Sequence, residues 1–140
     1  MKKIYTVATS HLDTVWSWDF ETTVSKYIYN TLVDNFKLFE KYPTYKFSFE
    51  GSYRYELMEE YYPELFEKNE RIYQKSADGM FAVLLLKNGD TNIPSPEALF
   101  RNILFGNSYF DEKFGKRSVD IYLPDCFGFG WALPTIERHA

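Results

Sequence analysis

The sequence predicts an α/β fold built on a parallel sheet, because segments typical of strands alternate with segments typical of helices along the chain. Segments 4–9, 46–50, 80–86 and 119–123 have the length and composition of strands. Between them, apolar residues recur at the three- and four-residue spacing of a helix face. Helical connections of this kind join parallel strands through right-handed crossovers. The 140 residues are enough for one domain at most.

The composition is ordinary for a globular chain, with 45% hydrophobic and 26% charged residues. The net charge of −4 and the lack of a basic stripe argue against nucleic acid as a partner. No segment approaches the length of a membrane span. The single cysteine, Cys126, cannot form an internal disulfide, so we expect a reducing, cytoplasmic location. Aromatic residues make up 20% of the chain, and a few of them could provide stacking surfaces for sugars.

In the first half of the chain, segment 4–9 reads as a buried strand that leads into a polar turn. The acids Asp19 and Glu21 favour a helix start, and Tyr42-Pro43 favours its end. The buried face of that helix is predicted from five apolar residues, Val24, Ile28, Leu32, Phe36 and Phe39. Segment 46–50 alternates and predicts the second strand. A further helical region then restarts at Pro63.

In the second half, the continuous apolar run 80–86 predicts a strand buried on both faces. Ser95-Pro96-Glu97 is a strong helix start, and Gly115 is the expected end of that helix. Its buried face is predicted to comprise Leu99, Phe100, Ile103 and Leu104. Segment 119–123 predicts the fourth strand, and a last helix begins near Ala132.

His11 and Asp13 are the first candidate site residues. They lie two residues apart, directly after the first predicted strand. On an extended backbone such residues point to the same side, close enough to bind one cation. The alternative is that His11 is a hydrogen-bonded turn histidine and that Asp13 caps a helix.

The order of the elements favours a metal or catalytic site. All strands of a parallel sheet end at one edge, where sites commonly lie. His11 and Asp13 follow the first predicted strand, Asp90 the third and Asp125 the fourth. The predicted fold therefore collects acids and a histidine at one rim.

The chain resembles the start of a glycoside hydrolase family 38 α-mannosidase. The resemblance lies in Ser10-His11-Leu12-Asp13-Thr14-Val15-Trp16, in Tyr62-Pro63-Glu64-Leu65-Phe66 and in Asp90-Thr91-Asn92-Ile93-Pro94-Ser95. It continues in Leu123-Pro124-Asp125-Cys126-Phe127-Gly128 and covers nearly the whole chain in the order of the family. It implies that residues 1–140 are the first part of a seven-stranded (β/α) barrel, with a zinc ion, that hydrolyses α-mannosides of oligosaccharides with retention.

The resemblance also implies roles for individual residues. His11, Asp13 and Asp125 match zinc ligands, and Asp125 matches the catalytic nucleophile as well. Trp16 and Phe127 match aromatic residues beside the bound sugar. The family's fourth ligand is a histidine far downstream, a position that His139 does not match, and its acid/base carboxylate also lies beyond residue 140; both are expected from the remainder of the catalytic domain.

For three residues near these positions, a structural role is preferred to a catalytic or metal-binding role. Asp90 is interpreted as a turn residue and Cys126 as a small buried residue beside the site. Arg101 is expected to make contacts on a helix surface.

Three functions are compatible with the sequence. The first is a zinc-dependent α-mannosidase, of which this chain is the N-terminal part. The second is another metal-dependent carbohydrate hydrolase, such as a deacetylase, which release of acetate from an acetylated glycan would support. The third is a truncated, non-catalytic remnant. The genomic sequence just downstream of Ala140 distinguishes the first from the third.

Overall fold

A computed structural model of the chain describes residues 2–4, 6, 8–75, 81–83 and 89–140. The α/β class predicted from the sequence is confirmed. The elements, in order, are β1 (Ala8–Ser10), α1 (Phe20–Thr22), a π-helical stretch (Thr23–Ile28), α2 (Tyr29–Lys41), β2 (Phe47–Glu50), α3 (Ser52–Tyr61), α4 (Pro63–Lys75), β3 (Phe81–Val83), α5 (Pro96–Phe114) and α6 (Leu133–His139).

The described strands form a three-stranded sheet in the order β1-β2-β3. β1 and β2 are parallel, as predicted, with Ala8 opposite Phe47 and Ser10 opposite Phe49. All four residues of β2 are buried, although the sequence alternates between apolar and polar residues. Both faces of this strand are therefore covered, which is usual for parallel sheets.

The chain divides into two compact units. Unit 1 comprises Met1–Phe49 and Leu57–Phe81, and unit 2 comprises Glu50–Glu56 and Ala82–Ala140. Among the helices of the described residues, none is long and apolar enough to cross a membrane.

In unit 1, the predicted apolar face from residue 24 to residue 36 is buried. Helix α4 is fastened to the α2 side of this unit. The Tyr62 hydroxyl, just before α4, donates a hydrogen bond to the Val24 main-chain oxygen over 3.0 Å. Within α4, the Lys68 ammonium lies 4.7 Å from the centre of the Phe36 ring and 2.9 Å from Glu40 Oε1.

In unit 2, α5 has the predicted ends. The Ser95 hydroxyl accepts a hydrogen bond from the Ala98 N–H over 3.2 Å, and Gly115 ends the helix with a φ of +65°. A left-handed residue at this place favours glycine. The core of unit 2 contains Ile103 of α5 and Ile136 of α6.

Four predictions need correction or lie outside the described residues. Among the described residues the first strand is Ala8–Ser10, which pairs with β2, whereas Ile4 is 89% exposed; residues 5 and 7 of the predicted strand lie outside the described part. Leu104 is 56% exposed rather than buried. In the third predicted strand, Phe81–Val83 is a strand, whereas residue 80 and residues 84–86 lie outside the part that the structure describes.

The fourth predicted strand is also wrong. Residues 119–123 are not a strand in the structure. Their alternation has another cause, because Ile121 and Leu123 pack against the Ile103–Ile136 core while Val119 is 90% exposed. An extended segment that packs on helices produces the same apolar alternation as a strand.

Candidate metal centre

His11 and Asp13 lie together in unit 1, directly after β1 ends at Ser10. His11 Nε2 is 3.5 Å from Asp13 Oδ1, and both side chains are partly exposed. Leu12 between them is buried, so the alternation of an extended backbone continues beyond the strand. This alternation places the imidazole and the carboxylate on the same side.

The chemistry of this pair fits a zinc ion, which accepts histidine nitrogen and carboxylate oxygen in one coordination shell. The alternative that Asp13 caps a helix is wrong. Helix α1 begins at Phe20, and the Asp19 carboxylate caps it by accepting a hydrogen bond from the Thr22 N–H over 2.8 Å. Asp13 therefore has no capping role in α1.

The loop of residues 14–18 follows this pair and carries Trp16. Trp16 is 75% exposed, so its aromatic face is accessible. Thr23, which is buried, holds both ends of the loop. Its hydroxyl donates a hydrogen bond to the Thr14 main-chain oxygen over 2.7 Å and accepts one from Trp18 Nε1 over 2.8 Å.

Asp125 and Phe127 lie in unit 2, in the loop of residues 124–130. Asp125 is exposed, and Phe127 is 85% exposed. Asp125 follows a segment without regular secondary structure instead of the fourth strand that the sequence predicted.

Cys126 is half-buried beside Asp125, and its thiol donates a hydrogen bond to the Gly89 main-chain oxygen over 3.4 Å. Burial raises the pKa of this thiol, and the nearby carboxylates of Asp90, Asp125 and Glu50 raise it further. A protonated thiol is a poor nucleophile. The interpretation of Cys126 as a small residue packed beside the site agrees with this environment.

Asp90 is a turn residue, as its sequence context predicts. Its Oδ1 accepts hydrogen bonds from the Asn92 N–H over 2.6 Å and from the Ile93 N–H over 3.0 Å. Arg101 makes the expected contact on the helix surface, with Nε 2.8 Å from Glu97 Oε1 and both side chains exposed.

The structure thus brings His11 and Asp13 together in unit 1, with Trp16 in the next loop, and places Asp125 with Phe127 in unit 2. The shared role of His11, Asp13 and Asp125 as ligands of one ion remains a prediction. Sequence reasoning missed Thr23, whose hydroxyl fixes the loop of Trp16. The sequence feature that could have indicated Thr23 is its position directly before Val24, the first residue of the predicted buried helix face.

The sequence profile of the glycosyl hydrolases family 38 N-terminal domain matches residues 1–140. The chain belongs to glycosyl hydrolase family 38. It is 33% identical to Alpha-mannosidase G of Dictyostelium discoideum over 98% of its length, and 31% identical to Alpha-mannosidase of Saccharomyces cerevisiae over 99%. It is also 33% identical to Alpha-mannosidase 2C1 of Homo sapiens over 95%.

This family 38 chain spans only a small part of those relatives, 12% of the Dictyostelium protein and 13% of each of the other two. The resemblance stated from the sequence motifs is thereby confirmed at the level of the family. The matched range contains residues 11–16 and residues 125–128, where the candidate site residues lie.

Proposed function

We propose that this family 38 chain is the N-terminal part of the catalytic domain of a zinc-dependent, retaining α-mannosidase. Its substrates are terminal α-mannosides of oligosaccharides, and the sheet is the first part of a seven-stranded (β/α) barrel. The observation that carries the proposal is the family match along residues 1–140, together with relatives named alpha-mannosidases.

His11, Asp13 and Asp125 are the proposed zinc ligands. The pairing of His11 Nε2 with Asp13 Oδ1 at 3.5 Å supports this assignment, because it presents two donors of the kinds that zinc prefers. The remainder of the catalytic domain supplies a further histidine. A zinc ion held by these residues would supply a Lewis acid that orients hydroxyl groups of the sugar and stabilises charge as the transition state forms.

Asp125 is the proposed nucleophile. Its carboxylate is exposed and hence accessible to a sugar. A carboxylate oxygen forms a bond to the anomeric carbon while the bond from that carbon to the leaving oxygen breaks. A second acid, from the remainder of the domain, protonates the leaving oxygen. Water then cleaves the glycosyl ester, and the same acid residue takes up the proton of the water, which regenerates Asp125.

Trp16 and Phe127 are the proposed sugar-binding residues. Both rings are largely exposed, at 75% and 85%. A large aromatic side chain on a rigid loop offers a flat apolar face to the C–H groups of a pyranose. The exposure of Trp16, on a loop that Thr23 fixes, supports a binding role over a role in the core.

The test uses the polypeptide encoded by the complete reading frame that contains this chain. Hydrolysis of an aryl α-mannoside is measured for the zinc-loaded protein, for the chelated protein and for the Asp125→Asn variant. We expect hydrolysis only by the zinc-loaded parent, with α-mannose as the first product seen by NMR. Asp120→Asn is the matched control, because Asp120 is an exposed acid in the same region and has no proposed role.

Several results would overturn parts of the proposal. A zinc-loaded parent that cleaves no α-mannoside would exclude the activity and favour a non-catalytic remnant. β-Mannose as the first product would exclude retention. Asp125→Asn activity within about tenfold of the parent would exclude the nucleophile, because its loss removes the step that forms the intermediate.

A further inference from the structure

Two loops of unit 2 are joined by hydrogen bonds that the proposed chemistry does not include. The Thr91 hydroxyl donates to the main-chain oxygen of Gly128 over 2.8 Å, and Thr91 is 7% exposed. The Cys126 thiol donates to the main-chain oxygen of Gly89 over 3.4 Å. The loop of residues 89–92 therefore holds the loop of residues 124–130 at two places.

The two bonded residues of this loop, Cys126 and Gly128, lie on either side of Phe127, and Cys126 directly follows Asp125. The two bonds restrain the chain on both sides of Phe127, at Cys126 through its side chain and at Gly128 through its main-chain oxygen. Phe127 itself projects into solvent, as its exposure of 85% shows. The neighbouring loop thus restrains the stretch of main chain from which this side chain projects.

The supporting loop has internal hydrogen bonds of its own. The carboxylate of Asp90 accepts hydrogen bonds from the main-chain N–H groups of Asn92 and Ile93, which closes a tight turn around Thr91. The Asn92 amide lies so close to Gly128 that a Cβ atom there would be 3.2 Å from Nδ2, and Gly128 has a φ of +120°. Glycine is therefore required where the two loops meet.

Of the two bonds, the one from Thr91 is the stronger. A hydroxyl is a better donor than a thiol, and the distance of 2.8 Å is near the optimum for O–H···O bonds. Because the Thr91 side chain is buried, water does not readily replace this bond once it is broken.

We propose that Thr91 is a positioning residue that holds Asp125 and Phe127 in the orientation required for attack on the sugar. This inference rests on the proposed function. Small displacements of reacting groups cost much rate, so Thr91→Val should lower kcat by about 10- to 100-fold and leave KM little changed. Thr91→Ser keeps the hydroxyl and should restore kcat.

The experiment compares kcat, KM and hydrogen–deuterium exchange of residues 125–131 in the zinc-loaded full-length protein. Thr91→Val, Thr91→Ser and the control Thr135→Val are measured beside the parent. Thr135 is an exposed threonine of α6, so its replacement should change neither quantity. Thr91→Val should lower kcat and speed exchange in residues 125–131, whereas Thr91→Ser should match the parent in both.

Unchanged exchange in Thr91→Val, or faster exchange with an unchanged kcat, would overturn the proposal. Thr91→Ala decides the matter if thermal unfolding shows that Thr91→Val is not folded, because alanine adds no methyl group against the Gly128 oxygen. If the parent cleaves no α-mannoside, the proposed function fails separately. In that case the hydrogen–deuterium exchange of residues 125–131 decides alone whether Thr91 restrains this loop. Faster exchange in Thr91→Val supports the restraint, and unchanged exchange refutes it.

Discussion

The buried hydroxyl of Thr23 donates a hydrogen bond to the main-chain oxygen of Thr14 over 2.7 Å. The same hydroxyl accepts a hydrogen bond from the indole N–H of Trp18 over 2.8 Å. The first residue of the π-helical stretch therefore holds both ends of the loop on which Trp16 lies. This loop directly follows Asp13, so the two hydrogen bonds of Thr23 also restrain the chain next to the candidate metal ligands.

Thr23→Val should lower the free energy of unfolding by about 1–3 kcal/mol, because it leaves the Thr14 oxygen and the Trp18 N–H without their partner. The measurement is urea unfolding followed by circular dichroism. Thr23→Ser keeps the hydroxyl and should recover most of the loss. Equal stability of Thr23→Val and the parent would show that the two bonds contribute nothing.

The capping of α1 by the Asp19 carboxylate should make the stability of the fold depend on pH. Hydrogen bonding to Thr22, through side chain and main chain, lowers the pKa of Asp19 below its ordinary value of 3.8. A carboxyl group whose folded pKa is lowered stabilises the fold fully above its unfolded pKa, and the contribution disappears as pH falls through the folded value. The stabilisation is therefore complete at pH 7, begins to decline as pH approaches 3.8 and is lost as pH falls further through the lowered pKa.

Asp19→Ala should accordingly have a lower Tm than the parent at neutral pH, and the difference should shrink in acid. Thermal unfolding at several pH values tests this expectation. Asp120→Ala, a change of an exposed acid outside the helices, is the control and should show little difference at neutral pH. A Tm difference for Asp19→Ala that is independent of pH would contradict the role of the charged cap.

The fold could be predicted from the sequence where the signals are local. Ser95-Pro96 and Gly115 mark the ends of α5 because capping depends on neighbouring residues alone. Strands depend on distant partners as well. Residues 119–123 alternate like a strand, yet the alternation records packing of Ile121 and Leu123 against helices.

The candidate site was predictable to the same extent. The proximity of His11 and Asp13 follows from the two-residue period of an extended chain. The bond from Thr91 to Gly128 joins residues 37 positions apart, and no local pattern predicts such a pair. The loop that holds Phe127 was therefore found only in the structure.

His11→Ala and Asp13→Ala should each reduce zinc affinity of the full-length protein. The loss should exceed the roughly 10- to 100-fold that follows from losing an outer partner of a metal ligand, because a donor atom itself is removed. Competition with a chromogenic chelator measures the affinity. His139→Ala is the matched control, since His139 is the second of the two histidines and lies exposed in α6. Parental affinity in both variants would refute the ligand assignment.

Trp16→Ala should weaken sugar binding much more than it weakens folding. The side chain is 75% exposed, so its removal leaves no cavity. A surface substitution changes stability by about 0.5 kcal/mol or less, whereas loss of a core tryptophan costs about 3–5 kcal/mol. Without the indole face to stack on, the Kd of a mannoside inhibitor should instead rise about tenfold or more, which is about 1.4 kcal/mol.

The variant is examined by inhibitor titration and by thermal unfolding of the same preparation, so that the effects on affinity and on stability are compared directly. Trp16→Phe is the control, because it retains an aromatic face on the loop that Thr23 holds. Its affinity should lie between those of the parent and Trp16→Ala. If Tm falls steeply while affinity is unchanged, Trp16 is a core residue of the whole protein. If neither changes, the ring contacts neither the sugar nor the core, and the assignment of Trp16 to the binding site is wrong.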